Sequence, residues 1–407
     1  MVIEGGMGTK SYDIITVGGG LAGLALAKAM AEHGASVLVL ESQTRFRDRV
    51  RGEMMWPWGN AELVELGIYD LLMDAGGHRA PWLDVYRGPK RMVHRDLVNT
   101  TTPRLPATTF YHPQMQEVLT EAAMAAGAEV RLGTRVRGIK QDTAPVVVAD
   151  IEGREVEIKA RLVVGADGRP SSARKWGGFK VQRDPDQTMI AGLLFDDLPA
   201  PDDALHLFPY AKFGLLALLF PQGQGRVRAY FCYPAERRYR LTGKADIQRF
   251  IEESLKTGIP AEYYAKAKAA GPLATFSGAH NWVDHPYRRG VALIGDAAAA
   301  GDPTHGQGLS KTVRDARVLR DKLLAHEDWD EAGHAYAEEH DHYYGINHMI
   351  ESWVTQMLFE IGPEADARRG KAIPKWPKDP TTIMEPFYSG PNQVLDEAAR
   401  KRFFGEE

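Results

Sequence analysis

Gly18, Gly20 and Gly23 form a Gly-x-Gly-x-x-Gly pattern at the end of the apolar run Asp13–Val17, and a carboxylate, Glu41, follows 18 residues after the last glycine. Residues of these types at this spacing can hold a phosphorylated nucleotide. Gly18 permits a tight turn, Gly20 lets the main chain approach a pyrophosphate, and Gly23 lets a helix pack closely on a strand. The free N–H groups at the helix start, around Leu21 and Ala22, face the phosphates. Glu41 ends the second apolar run, Ser36–Leu40, where a carboxylate can accept from ribose hydroxyls. An alanine-rich helical pattern running to His33 separates the two runs. The order strand, glycine turn, helix, strand, acid is an ADP-binding arrangement.

Two later segments carry the same kind of chemistry. The run Leu162–Gly165 leads into Ala166-Asp167-Gly168, a strand-end turn with a carboxylate. Val291–Ile294 reads as a buried strand ending at Gly295-Asp296, where a carboxylate beside glycine and alanines can hold sugar hydroxyls without steric conflict. In Asp302-Pro303-Thr304-His305-Gly306-Gln307-Gly308-Leu309, the residues Gly306, Gly308 and Leu309 open a helix. Its first N–H groups are free and its dipole end is positive, so it stabilises negative charge.

Taken together and in this order, the three motifs resemble the single-component FAD-dependent aromatic hydroxylases, flavoprotein monooxygenases with the p-hydroxybenzoate hydroxylase fold, over roughly residues 11–325. The resemblance implies a set of roles. Asp296 would hold the ribityl chain of FAD, and the Gly306–Leu309 loop would face the flavin N1–C2=O edge. Pro303 would lie beside the flavin carbon that takes up oxygen. Asp167 would support the pyrophosphate region and help place the reduced nicotinamide. Arg51, in Arg49-Val50-Arg51-Gly52, would reach the diphosphate, since guanidinium suits phosphate oxygens. His112 and Gln116 would touch the flavin sugar, and Val136 would contact adenine through its backbone.

The activity implied is insertion of one oxygen atom from O2 into an aromatic or related hydrophobic substrate through a flavin C4a-hydroperoxide, with electrons from NADPH or NADH. Phenol hydroxylation often needs a base tuned near neutral pH, and His305 is the candidate. Trp58, Phe208, Tyr210, Phe220 and Tyr230 are expected to line the substrate pocket. The chain departs from many relatives at Ala299-Ala300-Gly301, in place of a histidine, and at Ser310, in place of an asparagine. No second Gly-x-Gly-x-x-Gly exists, so the nicotinamide binds in a groove without its own Rossmann domain or a separate flavin reductase supplies electrons. The alternatives are an epoxidase, a halogenase or a polyprenyl-type reductase on the same fold, and a non-catalytic flavin redox sensor. Trp56-Pro57-Trp58-Gly59 only superficially matches a halogenase signature.

The elements that must position these residues read as an α/β (α+β) chain. A Rossmann-like FAD-binding domain is expected from residues 11–80, 107–178 and 281–325, and a mostly antiparallel β-rich substrate domain from 81–106 and 179–280. Residues 326–407 read as a helical C-terminal region and tail. At 407 residues there is length for two or three domains with large cores. A net charge of -4 gives no basic patch of the kind nucleic acid requires. The single cysteine, Cys232, excludes an intramolecular disulfide and reads as a packed strand residue. Apolar stretches are too short to span a bilayer, and the default setting is cytoplasmic, with a homodimer an expected option. His340, His342 and His348 share a helix at spacings that do not share a face, so no metal set is expected. No hydrolase or phosphate-loop motif is present.

Overall fold

The computed structural model of the chain describes residues 11–50, 52–141, 144–376 and 385–407. Its first strand, Ser11–Val17, is the centre of a parallel sheet, flanked by Val37–Leu40 and by Arg154–Gly165. Val291–Leu293 extends the sheet on one side and Glu129–Arg131 on the other. These strands are covered on both faces, which is why they read as unbroken apolar runs. The helices Leu21–Glu32, His112–Ala125 and Gly308–Ala325 supply one covering layer. The antiparallel strands Arg135–Lys140 and Val146–Ile151 help bury the other, through Ile139, Val147 and Ala149.

Arg154–Gly165 does two jobs. Its first half pairs antiparallel with Val146–Ile151, and its second half pairs parallel with Ser11–Val17. Sequence patterning separates Val156–Ile158 from Leu162–Gly168, whereas the structure has one continuous strand. Between them Ile158 and Ala160 are buried and Lys159 and Arg161 exposed, the period-two alternation of an uninterrupted strand.

The second sheet runs Lys268–Ala269, Thr188–Asp196, Val227–Pro234, Leu215–Pro221, Ala204–Tyr210, Trp82–Arg87 and Lys90–Asp96. Its neighbours are antiparallel except for Ala204–Tyr210 on Trp82–Arg87. Leu215, Ala217 and Leu219 pack toward the helix Ile247–Leu255, while Leu216, Leu218 and Phe220 face the opposite way. Cys232 is buried on that opposite face.

The helix Trp329–Leu358 braces the first sheet. Tyr336 donates to the carbonyl of Leu293 at 2.7 Å. Asp315, on Gly308–Ala325, accepts from the Gly295 N–H at 2.6 Å and also from the hydroxyl of Tyr343. Burial pushes the Asp315 carboxyl above its ordinary value. Among the described residues, no helix is long and apolar enough to cross a membrane.

Asp315→Ala orphans a buried backbone N–H and a buried hydroxyl, each at a cost of roughly 1–3 kcal/mol. The expected result is a melting temperature lowered by several degrees in a thermal scan of the flavin-loaded protein. An unchanged melt would show that Asp315 does not hold this turn.

Candidate active site

A cleft of about 680 Å³ lies along the carboxyl ends of the parallel strands and continues onto the second sheet. Its walls begin with the glycine turn. Gly18 has φ +112°, and a Cβ there would fall 2.4 Å from the carbonyl oxygen of Ala166. A Cβ on Gly23 would fall 2.1 Å from the Gly18 carbonyl oxygen. A Cβ on Gly20 meets nothing within 4 Å, because it would project into the cleft. The helix Leu21–Glu32 starts with no side-chain cap, so its first N–H groups, near the cleft-lining Leu21 and Ala22, are left for a ligand.

Glu41 is held in place by the same turn. One carboxylate oxygen accepts from the Gly19 N–H at 2.7 Å and the other from the Gln43 N–H at 2.8 Å. It lines the cleft with Val136, Thr134 and Arg135. Gln116 is buried beside the turn, its amide 3.5 Å from the Gly19 carbonyl. His112 opens its helix with Nδ1 3.0 Å from the Gly52 carbonyl, and both residues are on the wall. Arg51 lies outside the described residues, while Arg47 and Arg49 line the cleft.

Asp167 borders the cleft, but its carboxylate is engaged in shaping the turn. It accepts from the N–H groups of Ser172 and Ala173 at 2.6 and 3.1 Å and from the Ser171 hydroxyl at 2.5 Å. Asp296 lies on the wall, and its backbone is fixed from behind by buried Arg174, which donates to the carbonyls of Asp296 and Ala297 at 2.5 and 2.6 Å.

The loop before the helix Gly308–Ala325 is built with its polar interior turned away from the cleft. Asp302 caps a short turn by accepting from the Thr304 N–H at 2.9 Å and accepts from the Thr188 hydroxyl at 2.6 Å. Pro303 is exposed on the cleft wall. Gly306 has φ +66°, and a Cβ there would fall 2.5 Å from Met54 Cε. Gly308 and Leu309 line the cleft, Gly308 with open space before it, and their helix also has no side-chain cap.

His305 is turned the other way. Its ring is buried, Nε2 lies 2.9 Å from the Thr355 hydroxyl, and Phe387 packs edge-on against it. It is not part of the cleft wall, so the expected base at this position packs behind the loop instead. Trp58 is likewise behind it, donating to Gln307 Oε1 at 3.0 Å, and Trp56 donates to the His305 carbonyl at 3.1 Å.

The floor at the second sheet is apolar. Ile190, Phe220, Tyr230, Phe276, Val50 and Met54 line it, with Phe220 and Tyr230 edge-to-face at 5.8 Å. Phe208 points to the opposite face of its sheet and stacks on Tyr86 at 4.3 Å. Tyr210 is 40% exposed and packs on Phe213 away from the cleft. Strand alternation and sheet placement separate these two residues from Phe220 and Tyr230.

One group on this wall has no motif to signal it. Glu53 is 1% exposed and lines the cleft. Arg228, wholly buried, donates to both its oxygens at 2.7 and 2.9 Å and to Asp48 at 2.8 Å, and Gln222 adds a donation at 2.6 Å. Burial pushes the Glu53 carboxyl above its ordinary value against the pull of Arg228. In sequence Glu53 follows the alternating arginines Arg45, Arg47, Arg49 and Arg51, which draw attention to positive charge instead.

The cleft fits FAD on its own geometry. The glycine cradle has space where a Cβ would otherwise project, two uncapped helix starts face inward, and the carboxylates of Glu41 and Asp296 line the wall as acceptors. The fold and site define a flavin-binding oxidoreductase. Residues 11–356 match the family described as FAD binding domain, and the chain belongs to that family. It is 28% identical over 375 residues to a rifampicin monooxygenase of Streptomyces venezuelae, covering 88% of this chain and 74% of that protein. It is 27% identical over 345 residues to a ubiquinone hydroxylase of Rhodospirillum rubrum, covering 79% of this chain and 74% of that protein. In fold it is similar to p-nitrophenol 4-monooxygenase from Pseudomonas putida, with a TM-score of 0.79 at 20% identity over 95% of this chain and 100% of that one. With such relatives the class is that of the FAD-dependent monooxygenases.

Gly20→Ala should leave the melting temperature of the flavin-free protein unchanged and weaken FAD binding at least tenfold, measured by flavin fluorescence. Gly18→Ala should lose both stability and flavin, because its Cβ meets backbone. Equal behaviour of the two variants would mean that Gly20 does not face the pyrophosphate.

Proposed function

We propose that this enzyme, with FAD reduced by NADPH or NADH, inserts one atom of O2 into an aromatic or related hydrophobic substrate bound on the floor formed by Ile190, Phe220 and Tyr230. The observation that carries this reading is the continuity of one cleft. Its nucleotide cradle, the loop at Pro303 and Gly308, and an apolar aromatic floor all open into the same space. FAD bound there supplies the redox chemistry with oxygen.

The residues of this chain then have separable tasks. Leu21 and Ala22 present N–H groups to the pyrophosphate, and Glu41 and Asp296 orient the sugar hydroxyls. The uncapped start of the helix at Gly308 stabilises negative charge at the ring edge lying against it. Pro303 presents a side chain without an N–H or hydroxyl at the point of contact and so helps to exclude water. Phe220 and Tyr230 fix the plane of an aromatic ligand through face and edge contacts. Glu53, anchored by Arg228, keeps a carboxyl in the floor, and burial raises the proton affinity of Glu53 and of the Tyr230 phenol. Proton management at the substrate therefore falls to this end of the cleft and not to His305.

The test is oxygen uptake by the FAD-loaded enzyme with NADPH or NADH and a panel of phenols, anilines and quinone precursors. The expected result is uptake accelerated by at least one aromatic compound, with one atom of 18O2 in the product. A product that requires halide, or flavin that no aromatic compound helps to oxidise or reduce, would overturn the reading. Reduction by neither nicotinamide, but by an added flavin reductase, would change only the electron source. Phe220→Ala should raise the KM for the accelerating compound tenfold or more with flavin content unchanged, read by steady-state kinetics.

A further inference from the structure

Away from the cleft, three residues from three elements converge. Asp184 follows the strand Val181–Arg183, His280 precedes the strand Asn281–Val283, and His348 lies on the helix Trp329–Leu358. The Asp184 N–H donates to the His280 carbonyl at 3.0 Å, which fixes the two loops against each other. One ligating atom from each of the three residues lies within 4.8 Å of the others. Asp184 Oδ2 is 2.7 Å from His348 Nε2, and the two imidazole rings are 4.6 Å apart.

His280 is 7% exposed, and its Nδ1 has no hydrogen-bond partner among the described residues. An unmatched buried polar atom is unfavourable, so a bare ring nitrogen here calls for a partner. Its other nitrogen, Nε2, lies 3.3 Å from Glu351 Oε2, a carboxylate that is itself 0% exposed. Glu351 Oε2 takes no hydrogen bond among the described residues, so this carboxylate is close enough to support a metal-bound histidine once the ring turns toward it. His348 and Asp184 are half-buried, which leaves a path from solvent.

We propose that Asp184, His280 and His348 bind a first-row divalent cation, of which Zn2+ is the representative probe. Two imidazoles and one carboxylate suit such ions better than Mg2+ or Ca2+, which favour all-oxygen sites. Donors placed tetrahedrally on one ion at about 2.0–2.2 Å stand roughly 3.3–3.6 Å apart. Binding therefore needs the Asp184–His348 contact to open slightly and His280 to move toward it, and Asp184 lies in a loop that permits this. Three protein ligands leave the remaining positions to water.

The ion's role is to hold a wall. It ties the helix Trp329–Leu358 to the segment at Ala279 and His280, and the Ala279 carbonyl accepts from Arg169, a residue of the cleft wall that also donates to the Gly301 carbonyl at 3.1 Å. The site thus stiffens the cleft from outside without touching a ligand in it.

The experiment is titration of the EDTA-treated, FAD-loaded full chain with Zn2+ alone, by competition with a chromophoric chelator, together with thermal melts. The expected result is one ion per chain at micromolar affinity or better and a rise in melting temperature. His348→Ala and Asp184→Asn should each weaken binding tenfold or more, with flavin content unchanged. His334→Ala removes a separate surface histidine whose Nδ1 is 2.7 Å from His285 Nε2, and should leave binding intact. Absence of binding by the parent protein would overturn the proposal. So would binding that survives His348→Ala and Asp184→Asn, or that is lost in His334→Ala.

Discussion

Three backbone segments touch with no room for a side chain between them: the turn at Gly18, the first helical turn at Gly23 and the strand end at Ala166. This contact sets the rest of the site. It brings the start of the helix Leu21–Glu32 down onto the sheet, so that its uncapped N–H groups meet the cleft edge. It places Glu41, at the end of the neighbouring strand, within reach of the Gly19 N–H. It also puts the strand Arg154–Gly165 beside the first strand, which carries Asp167 to the same rim. The adjacent strand Val291–Leu293 then delivers Asp296. Each carboxylate is located by main-chain packing first, and Glu41 and Asp167 by their own hydrogen bonds second.

The loop at Pro303–Gly308 is supported differently. Its cleft side is short of side chains, and its rear side is crowded with them. Trp56 and Trp58 reach it from one helix start, Thr355 from the long C-terminal helix, and Phe387 from the tail, where Gln307 donates to the Phe387 carbonyl at 3.0 Å. Rigid backing with a bare front lets a planar ring lie against backbone. The second sheet completes the enclosure because its two faces are unlike. One face packs on the helix Ile247–Leu255, and the other, also largely buried, offers Phe220 and Tyr230 to the cleft beside the buried Glu53–Arg228 pair.

The parts of this site that are legible in the sequence are those where the backbone itself is the functional element. Gly18, Gly20, Gly23, Gly306 and Gly308 are defined by local turn geometry, so their spacing is enough to locate them. The side chains that fill the pocket are a different matter. Phe208 and Phe220 are both aromatic residues on β-runs, and only the sheet as assembled decides which one faces the cleft. The direction of the His305 ring is set by Thr355 and Phe387, distant in the chain. Glu53 and Arg228 are separated by most of the second sheet's sequence, so neither announces the other. Asp184, His280 and His348 likewise come together only through three separate elements, and spacing along one helix could not reveal them. The hairpin strand at 154 and the buried strand ending at 165 look separate because the character of their exposure changes midway, while the chain continues straight.

The cradle draws on residues from Gly18 to Leu309 and is backed by Thr355 and Phe387, which has a consequence for how the molecule comes into being. During synthesis at about 5–20 residues per second, the first glycine turn waits for on the order of tens of seconds before its supports emerge. The parallel pairings with Arg154–Gly165 and Val291–Leu293 join strands far apart in the chain, and such non-local topology folds slowly. Flavin capture is thus a late event that seals a finished fold and does not seed it. The strand Ser11–Val17 is covered sooner, since its two neighbours, Val37–Leu40 and Arg154–Gly165, both precede the loop at Pro303–Gly308 in the chain.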